Sequence, residues 1–441
     1  MDNNSFCRYF DEQKEETLTR VKCDTERHRM GYATIEITNG DGKSVDGVKV
    51  SAKQISHEFK FGCNSFMLDQ FPDDEHNRKY REIFPKLFNY AIVPFYWSDF
   101  EPEDGKPRIN REDINIYRRP APEKVIAFCK QNNIKMKGHP LFWHSFVPEW
   151  FDMNKDTAME RIDRHIREIC EAYGSDIGDW DVVNESLTPP HLKPNIHNLP
   201  KDYVKKCFDC AKKYLTSNRL FINETTHVWD WWYFNYELGA YYMQIENLLM
   251  KGAKIDAIGL QYHMFSSEEK LRESAKEYYN PQRLFDVMDS LAGFNLPLHI
   301  SEVTVPAYGG GEKAMQKQAE ITEWLYRIWF SHPNAECIVW WNMVDGTAAY
   351  APLGSSEGEN FYHGGLLNYD MSPKPVCDVL DRLINHEWHT EGELCASGGR
   401  AKLHGFYGDY EISVEHNGKV TKEKISFTKN GKKVFKIAVD K

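Results

Sequence analysis

Eight short apolar runs, separated by helix-like stretches, constrain the fold of this chain more than any other feature. They are HEFKFGCN near 57–64, FNYAIVPF at 88–95, IKMKGH at 134–139 and WDVVNE at 180–185, followed by RLFIN at 219–223, IDAIGLQYH at 255–263, LPLHISEV at 296–303 and CIVWWN at 337–342. Each is of strand length. Between them lie amphipathic segments such as APEKVIAFCKQNN, AMERIDRHIREICEAYG, KDYVKKCFDCAKKYL and AMQKQAEITEWLYRIWF. Eight strands alternating with helices describe an α/β chain folded as a (β/α)8 barrel, here assigned to residues 57–389. In such a barrel the chemistry gathers at the C-terminal ends of the strands, so the last residues of each run carry the most information.

The two ends of the chain read differently. Residues 31–62 and 404–438 alternate apolar and polar side chains around turn signals, among them Asn39-Gly40-Asp41-Gly42, Asp46-Gly47, Asn417-Gly418 and Asn430-Gly431. Each end supplies too few strands for an independent core. Together they are expected to form one small β-sandwich from residues 1–56 and 390–441. A polysaccharide-binding module is one reading of that sandwich. A brace packed on the barrel is favoured, because it draws on both ends and no Gly/Ser- or Pro-rich hinge sets it apart.

Composition removes some function classes. The chain has 55 basic and 66 acidic residues, a net charge of −11, and no long basic run, which makes it a poor nucleic-acid binder. No run approaches the ~18 apolar residues of a membrane span. Ten Cys in 441 residues are too sparse for a disulfide scaffold, and no secretory h-region opens the chain, so a cytoplasmic location is the plain expectation. A secreted or periplasmic chain whose export signal had been removed would read the same. Cys207 and Cys210 form a CxxC within an amphipathic helix pattern, where two packing thiols are favoured over a redox or zinc site. The aromatic share of 14%, with 12 Trp, exceeds what a core needs and suits stacking on sugars or other flat ligands.

At the strand ends stand Gly138-His139-Pro140-Leu141-Phe142-Trp143-His144, Asn184-Glu185, Gln261-Tyr262-His263, Glu302 and Trp341. Taken singly, an Asn-Glu pair can be a loop hydrogen bond, and His139 with His144 a satisfied pair on the barrel rim. Together, two carboxylates, three imidazoles, two amides and several indoles at one mouth point to glycosidic bond cleavage by a carboxylate pair. No HExxH or comparable ligand spacing supports a zinc site, and no GxGxxG or Walker loop implies a cofactor, so no metal and no cofactor is expected. Only one of Trp340 and Trp341 can face the mouth, and Trp340 is read as packing outward.

These motifs resemble glycoside hydrolase family 10, best known for endo-β-1,4-xylanases. WDVVNES is similar to that family's acid/base motif, LHISEVTV to its nucleophile motif, and GHPLFWH and GLQYH to its sugar-binding strand ends, while GLLNYDMSPKPV resembles its closing segment. The resemblance covers roughly residues 60–388. It implies Glu185 as general acid/base, Glu302 as nucleophile, retention of configuration and carboxyls about 5–5.5 Å apart. It further implies that Asn184 binds the 2-hydroxyl of the −1 sugar, that His139, His144 and Gln261 orient the sugar or the carboxylates, and that His263 keeps Glu302 ionised. Trp97, Trp143 and Trp341 would be apolar walls, and the substrate a β-linked xylan-type oligo- or polysaccharide.

The resemblance breaks in two places. After the second run the family's Glu-Asn pair is missing, and Tyr96 stands at its Lys position, which removes charge-assisted contacts to sugar hydroxyls worth about 1.5–3 kcal/mol each. After Asp345, Gly346-Thr347-Ala348-Ala349-Tyr350 replaces the expected Trp, leaving Tyr350 as a substitute. Two further readings therefore stay open: a retaining β-glycosidase of different sugar or aglycone specificity, and a non-catalytic carbohydrate-binding barrel. The stretch His227-Val228-Trp229-Asp230-Trp231-Trp232-Tyr233-Phe234 is either a stacking platform or an aromatic face packed on the barrel.

Overall fold

The computed structural model describes residues 6–152, 157–187, 199–230 and 236–439. Its centre is a closed barrel of eight parallel strands: β3 (Lys60–Asn64), β4 (Tyr90–Pro94), β5 (Lys135–His139), β6 (Asp179–Asn184), β7 (Arg219–Glu224), β8 (Ala257–His263), β9 (Leu298–Thr304) and β10 (Ala335–Trp340), with β10 returning to β3. Every one of the eight apolar runs supplies one strand. They read as near-continuous apolar runs because helices cover one face and barrel interior the other, so β3, β4, β6 and β9 are buried along their whole length. Polar side chains are admitted inside where space is made for them. A Cβ on Gly259 would lie 2.2 Å from Asn223 Oδ1, so the glycine in β8 is what lets the Asn223 amide sit within the barrel.

Strand starts at the N-terminal end of the barrel carry a charge network. Lys60 Nζ lies 3.0 Å from Glu336 Oε2 and 3.7 Å from Asp179 Oδ2, while Arg219 reaches Asp179 at 2.8 Å and Glu336 at 2.7 Å. His299 Nε2 is 3.2 Å from Glu336, and Tyr90 donates its hydroxyl to Asp179 at 2.6 Å.

The terminal strands build two four-stranded sheets. β1 (Met30–Thr38) pairs with β13 (Arg400–Phe406) and β16 (Val434–Ala438), and β12 (Ala396–Ser397) extends that sheet. β2 (Lys49–His57) pairs with β11 (Glu391–Leu394) and β14 (Gly408–His416), which pairs in turn with β15 (Lys419–Phe427). Their inward side chains, including Ile35, Ile37, Val50, Leu403, Ile412, Val414 and Phe427, form a core separate from that of the barrel. Asn417 (φ 50°) and Gly418 (φ 75°) close the β14–β15 hairpin with both turn residues left-handed, as a two-residue turn of this hand requires.

β1 and β2 lie in different sheets, and one sequence expectation needs correction here. Residues expected within the sandwich form the helices Arg8–Glu12 and Lys14–Arg29, and Phe6, Cys7, Phe10 and Val21 bury into the barrel's core. Arg29 ends the second helix by donating to the carbonyls of Phe330, His332 and Ala335 beneath the barrel. On the helix Tyr203–Tyr214, Cys207 is fully buried and Cys210 half-buried, both as free thiols. Among the described residues, no helix is long and apolar enough to cross a membrane.

Candidate active site

The C-terminal strand ends surround a cleft of about 850 Å³. Glu185 follows β6 directly and stands at φ 50°, a left-handed conformation that costs a non-glycine residue about 1–3 kcal/mol. Its backbone N–H donates to Asn223 O at 2.9 Å, which ties this strained residue to the neighbouring strand. Glu302 projects from β9 and is 4% exposed.

A continuous hydrogen-bond chain joins the two carboxyls. Gln261 Nε2 donates to Glu185 Oε1 at 3.0 Å and approaches Asn184 Oδ1 at 3.4 Å. Asn223 Nδ2 donates to Asn184 Oδ1 and to Glu302 Oε1, each at 2.8 Å. The other oxygen of Glu302 lies 3.0 Å from His263 Nε2, and His263 Nδ1 lies 2.9 Å from Thr304 Oγ1. Burial pushes His263 down to about 4, so the ring is neutral at working pH. With Thr304 donating to Nδ1, Nε2 carries the hydrogen and donates to Glu302.

Electrostatics separate the layers of the site. Burial, reinforced by the charge of Glu302, pushes Glu185 up to about 7 against the pull of the Gln261 amide. Burial likewise pushes Glu302 up to about 7, opposed by the charges of His139 and Lys137 beneath it. In that lower layer Asp181 takes Lys137 at 2.9 Å and His139 Nδ1 at 2.8 Å. Burial raises Asp181 too, but Lys137 and His139 overcome it and hold its carboxyl below the ordinary range. Glu302 accepts from Asn223 at 2.8 Å and His263 at 3.0 Å, while Glu185 takes the Gln261 amide at 3.0 Å with a weaker pull from the Asn184 amide, so an anion is better supported on Glu302.

Of the residues singled out in the sequence, Glu185, Glu302, Gln261, His263, Trp143, Trp341 and Tyr350 line the cleft. Four do not. Trp97 begins the short helix Trp97–Phe100 and turns inward, 2% exposed, with its Nε1 donating to Glu101 at 2.8 Å and its ring stacked 4.3 Å from His165. Tyr96, just before that helix, takes the wall position instead. His144 opens the 3-10 turn His144–Phe146 and is fully buried, while Trp143 and Phe146, three apart, share the cleft side of that turn. His139 and Asn184, each 1% exposed, lie one layer beneath the lining. Trp340 packs away from the mouth, fully buried, with its Nε1 on the carbonyls of Asn342 and Gly364.

The open reading of the aromatic stretch is decided for one residue. Trp229 is fully buried, donates to Gln261 O at 2.8 Å and packs 5.5 Å from Tyr262, so it belongs to the core. Trp231, Trp232, Tyr233 and Phe234 lie outside the described residues.

Sequence reasoning missed Asn223 and the fully buried Glu224, although both stand at the end of the RLFIN run, where the strand-end rule already pointed. Glu224 accepts from Ser186 Oγ at 2.8 Å and Leu187 N at 3.0 Å, fixing the chain just after Glu185, and burial pushes it up to about 7. Also missed were Arg118 and Arg119 on the cleft wall, which lie in a segment with no periodic signal. Among the described residues, no group of three or more His, Cys, Asp or Glu side chains is arranged to hold a metal ion.

The family model for glycosyl hydrolase family 10 matches residues 74–362, which span every cleft residue named above. Endo-1,4-beta-xylanase A of Caldicellulosiruptor saccharolyticus is 27% identical over 244 residues, 52% of this chain and 64% of its own length. The anti-sigma-I factor RsgI6 of Acetivibrio thermocellus is 23% identical over 395 residues, 89% of this chain and 46% of its own length. The chain thus spans less than two thirds of either relative. Xylanase 10B from Thermotoga petrophila RKU-1, solved in complex with xylobiose, superposes with a TM-score of 0.58 at 21% identity, over 75% of this chain and 95% of that one, a likeness of fold. The chain belongs to glycosyl hydrolase family 10.

Proposed function

We propose that the protein is a retaining glycoside hydrolase that cleaves β-linked xylan-type oligo- or polysaccharides through Glu185 and Glu302. The observation that carries this reading is the chain Glu185–Gln261–Asn184–Asn223–Glu302, which couples a half-buried and a buried carboxyl but gives them unequal donor sets. One proton shared by the pair then resides on Glu185. In the first step Glu302 attacks the anomeric carbon while Glu185 protonates the departing glycosidic oxygen. Glycosylation removes the charge of Glu302, Glu185 becomes the stronger acid and is left ionised, and it draws a proton from the water that attacks the covalent intermediate. That attack frees Glu302 and returns the proton to Glu185. The Asn184 amide, beside Glu185 and one layer beneath the lining, is the group we assign to the sugar 2-hydroxyl, a contact that strengthens as oxocarbenium character develops.

One observation favours a shifted specificity with the same chemistry. The wall at the end of β4 is aromatic, with the Tyr96 ring 4.9 Å from Phe146 and 5.7 Å from Trp143. Chromatographic product analysis over xylan, short β-linked oligosaccharides and aryl β-glycosides tests both readings, with Glu302→Ala as the blank. Release of xylooligosaccharides by the wild type alone is the expected result. Cleavage confined to aryl glycosides would transfer the reading to an aglycone-directed β-glycosidase. Full activity in Glu302→Ala would refute the nucleophile assignment, and tight binding without turnover by the wild type would make the barrel a binding protein.

A further inference from the structure

Arg118 and Arg119 lie between β4 and the helix Pro122–Gln131, on the cleft wall beside Tyr96 and Tyr350. Their side chains are held in contrasting ways. Arg119, 7% exposed, stacks its guanidinium 3.7 Å from the centre of the Tyr96 ring and donates its Nε to Asp99 Oδ2 at 2.8 Å. It is a neutralised cation that shapes the wall. Arg118 is only 3% exposed, and its Nη1 donates to two neutral acceptors, Asn342 Oδ1 at 2.9 Å and the Thr347 carbonyl. Its Nε is buried with no hydrogen-bond partner.

Among the described residues no carboxylate comes within 4.0 Å of the Arg118 guanidinium, although Glu359 lines the same cleft further off. Arg118 also stands at φ 61°, a left-handed backbone that its surroundings must hold in place. A guanidinium sunk in the wall of a cleft and surrounded by neutral acceptors, with a second guanidinium next to it, carries a desolvation cost that the protein itself does not offset. An anion entering from the cleft would offset it. The planar fork of Arg matches a carboxylate in shape as well as in charge.

We infer that the wall at the end of β4 receives a sugar carboxylate, that of a uronic acid, on Arg118, with the Arg119–Tyr96 stack as the face against which that sugar lies. The inference rests on the glycoside hydrolase reading above and specifies its substrate as an acidic glycan. The same carboxylate can arrive on a terminal uronic acid at the cleavage site or on a uronic acid branch of a xylan-type chain.

The test measures kcat/KM of wild type, Arg118→Met and Arg118→Lys on matched pairs: an aryl β-glucuronide against an aryl β-xyloside, and a uronic-acid-branched xylooligosaccharide against its unbranched form. The expected result is a wild-type preference for the acidic member of one pair and a loss on the order of 10–100-fold in Arg118→Met for that member alone, partly recovered by Lys. The pair that responds identifies the source of the carboxylate. Equal losses on acidic and neutral members, or no loss on either, would overturn the inference. Should Arg118→Met fail to fold, inhibition of the wild type by free glucuronate against free xylose decides instead: stronger inhibition by glucuronate supports the inference and equal inhibition overturns it. Absence of turnover on every substrate is failure of the hydrolase reading. In that event calorimetric binding of the acidic and neutral oligosaccharides to the wild type still decides the inference, since a preference for the acidic one supports it and equal binding sinks it.

Discussion

The two ends of the barrel hold the same kinds of residues in opposite electrical states. At the N-terminal end, the buried Asp179 and the half-buried Glu336 sit among Lys60, Arg219 and His299. Burial raises both carboxyls, but hydrogen bonds from Arg219 to Asp179 and from His299 to Glu336, with the charges of Lys60 and Arg219, outweigh it and hold both well below the ordinary range. At the C-terminal end, Glu185, Glu224 and Glu302 are also taken out of water, yet they rise to about 7. Their direct partners are amides, a hydroxyl, backbone N–H groups and a neutral imidazole, none of which carries a full charge. Burial alone therefore does not set the protonation state; the formal charge of the partner does. Ion pairs at one end fix anions permanently, whereas neutral donors at the other leave a proton that can be exchanged, which is what acid/base chemistry at neutral pH requires.

The largest expected effects come from removing one acid at each end. Glu302→Ala should lower kcat by at least about 10⁴-fold on any cleaved substrate while Tm stays level or rises, since a buried carboxyl with no cationic partner in contact is lost. Asp179→Ala should do the reverse: it strips Arg219, Lys60 and the Tyr90 hydroxyl of their shared acceptor. A stability loss of about 3–5 kcal/mol in urea titrations is expected, with kcat of the folded protein unchanged. The comparison breaks if either variant loses both properties, for then the two ends are one coupled network.

How far this contrast was legible in the sequence depends on the physics of each position. The barrel was readable because strands covered on both faces are largely apolar, and eight such runs recur between helix-like segments. Glu185, Gln261, His263 and Glu302 were readable because those strand ends face one mouth. Trp97 and His144 were misjudged because adjacency to a wall residue says nothing about direction: Tyr96 and Trp97 are consecutive at a helix start, Trp143 and His144 at the start of a 3-10 turn, and successive side chains there point to different sides. The N-terminal charge network and Arg118 were invisible for a different reason. Lys60, Asp179, Arg219 and Glu336 are far apart in sequence and become partners only when the barrel closes. The helices ahead of β1 were overlooked because the helix Lys14–Arg29 is polar and buries only Thr17 and Val21, so its periodicity is weak.

The smallest effect is the sharpest probe of the comparison, because the two ends should tilt the pH dependence of stability in opposite directions. A carboxyl whose folded pKa lies above its unfolded value holds a proton that the unfolded chain has already released, so stability falls as pH rises between the two values. For Glu185, Glu224 and Glu302 that window runs from the ordinary value of 4.5 up to about 7. Asp179 and Glu336 are lowered, so their contribution is complete above the ordinary carboxylate range and is lost as pH falls through it. Urea titrations across this range should show wild-type stability declining on both sides. Glu302→Gln should flatten the decline toward neutral pH and leave the acid side unchanged, while Asp179→Asn should flatten the acid side alone. If Glu302→Gln left the neutral slope intact, the C-terminal carboxyls would be ionising at ordinary values and the contrast between the two ends would reduce to geometry. If the slope flattens, the proton that leaves near neutral pH belongs to the hydrogen-bonded pair, and the pH dependence of kcat should report the same macroscopic values.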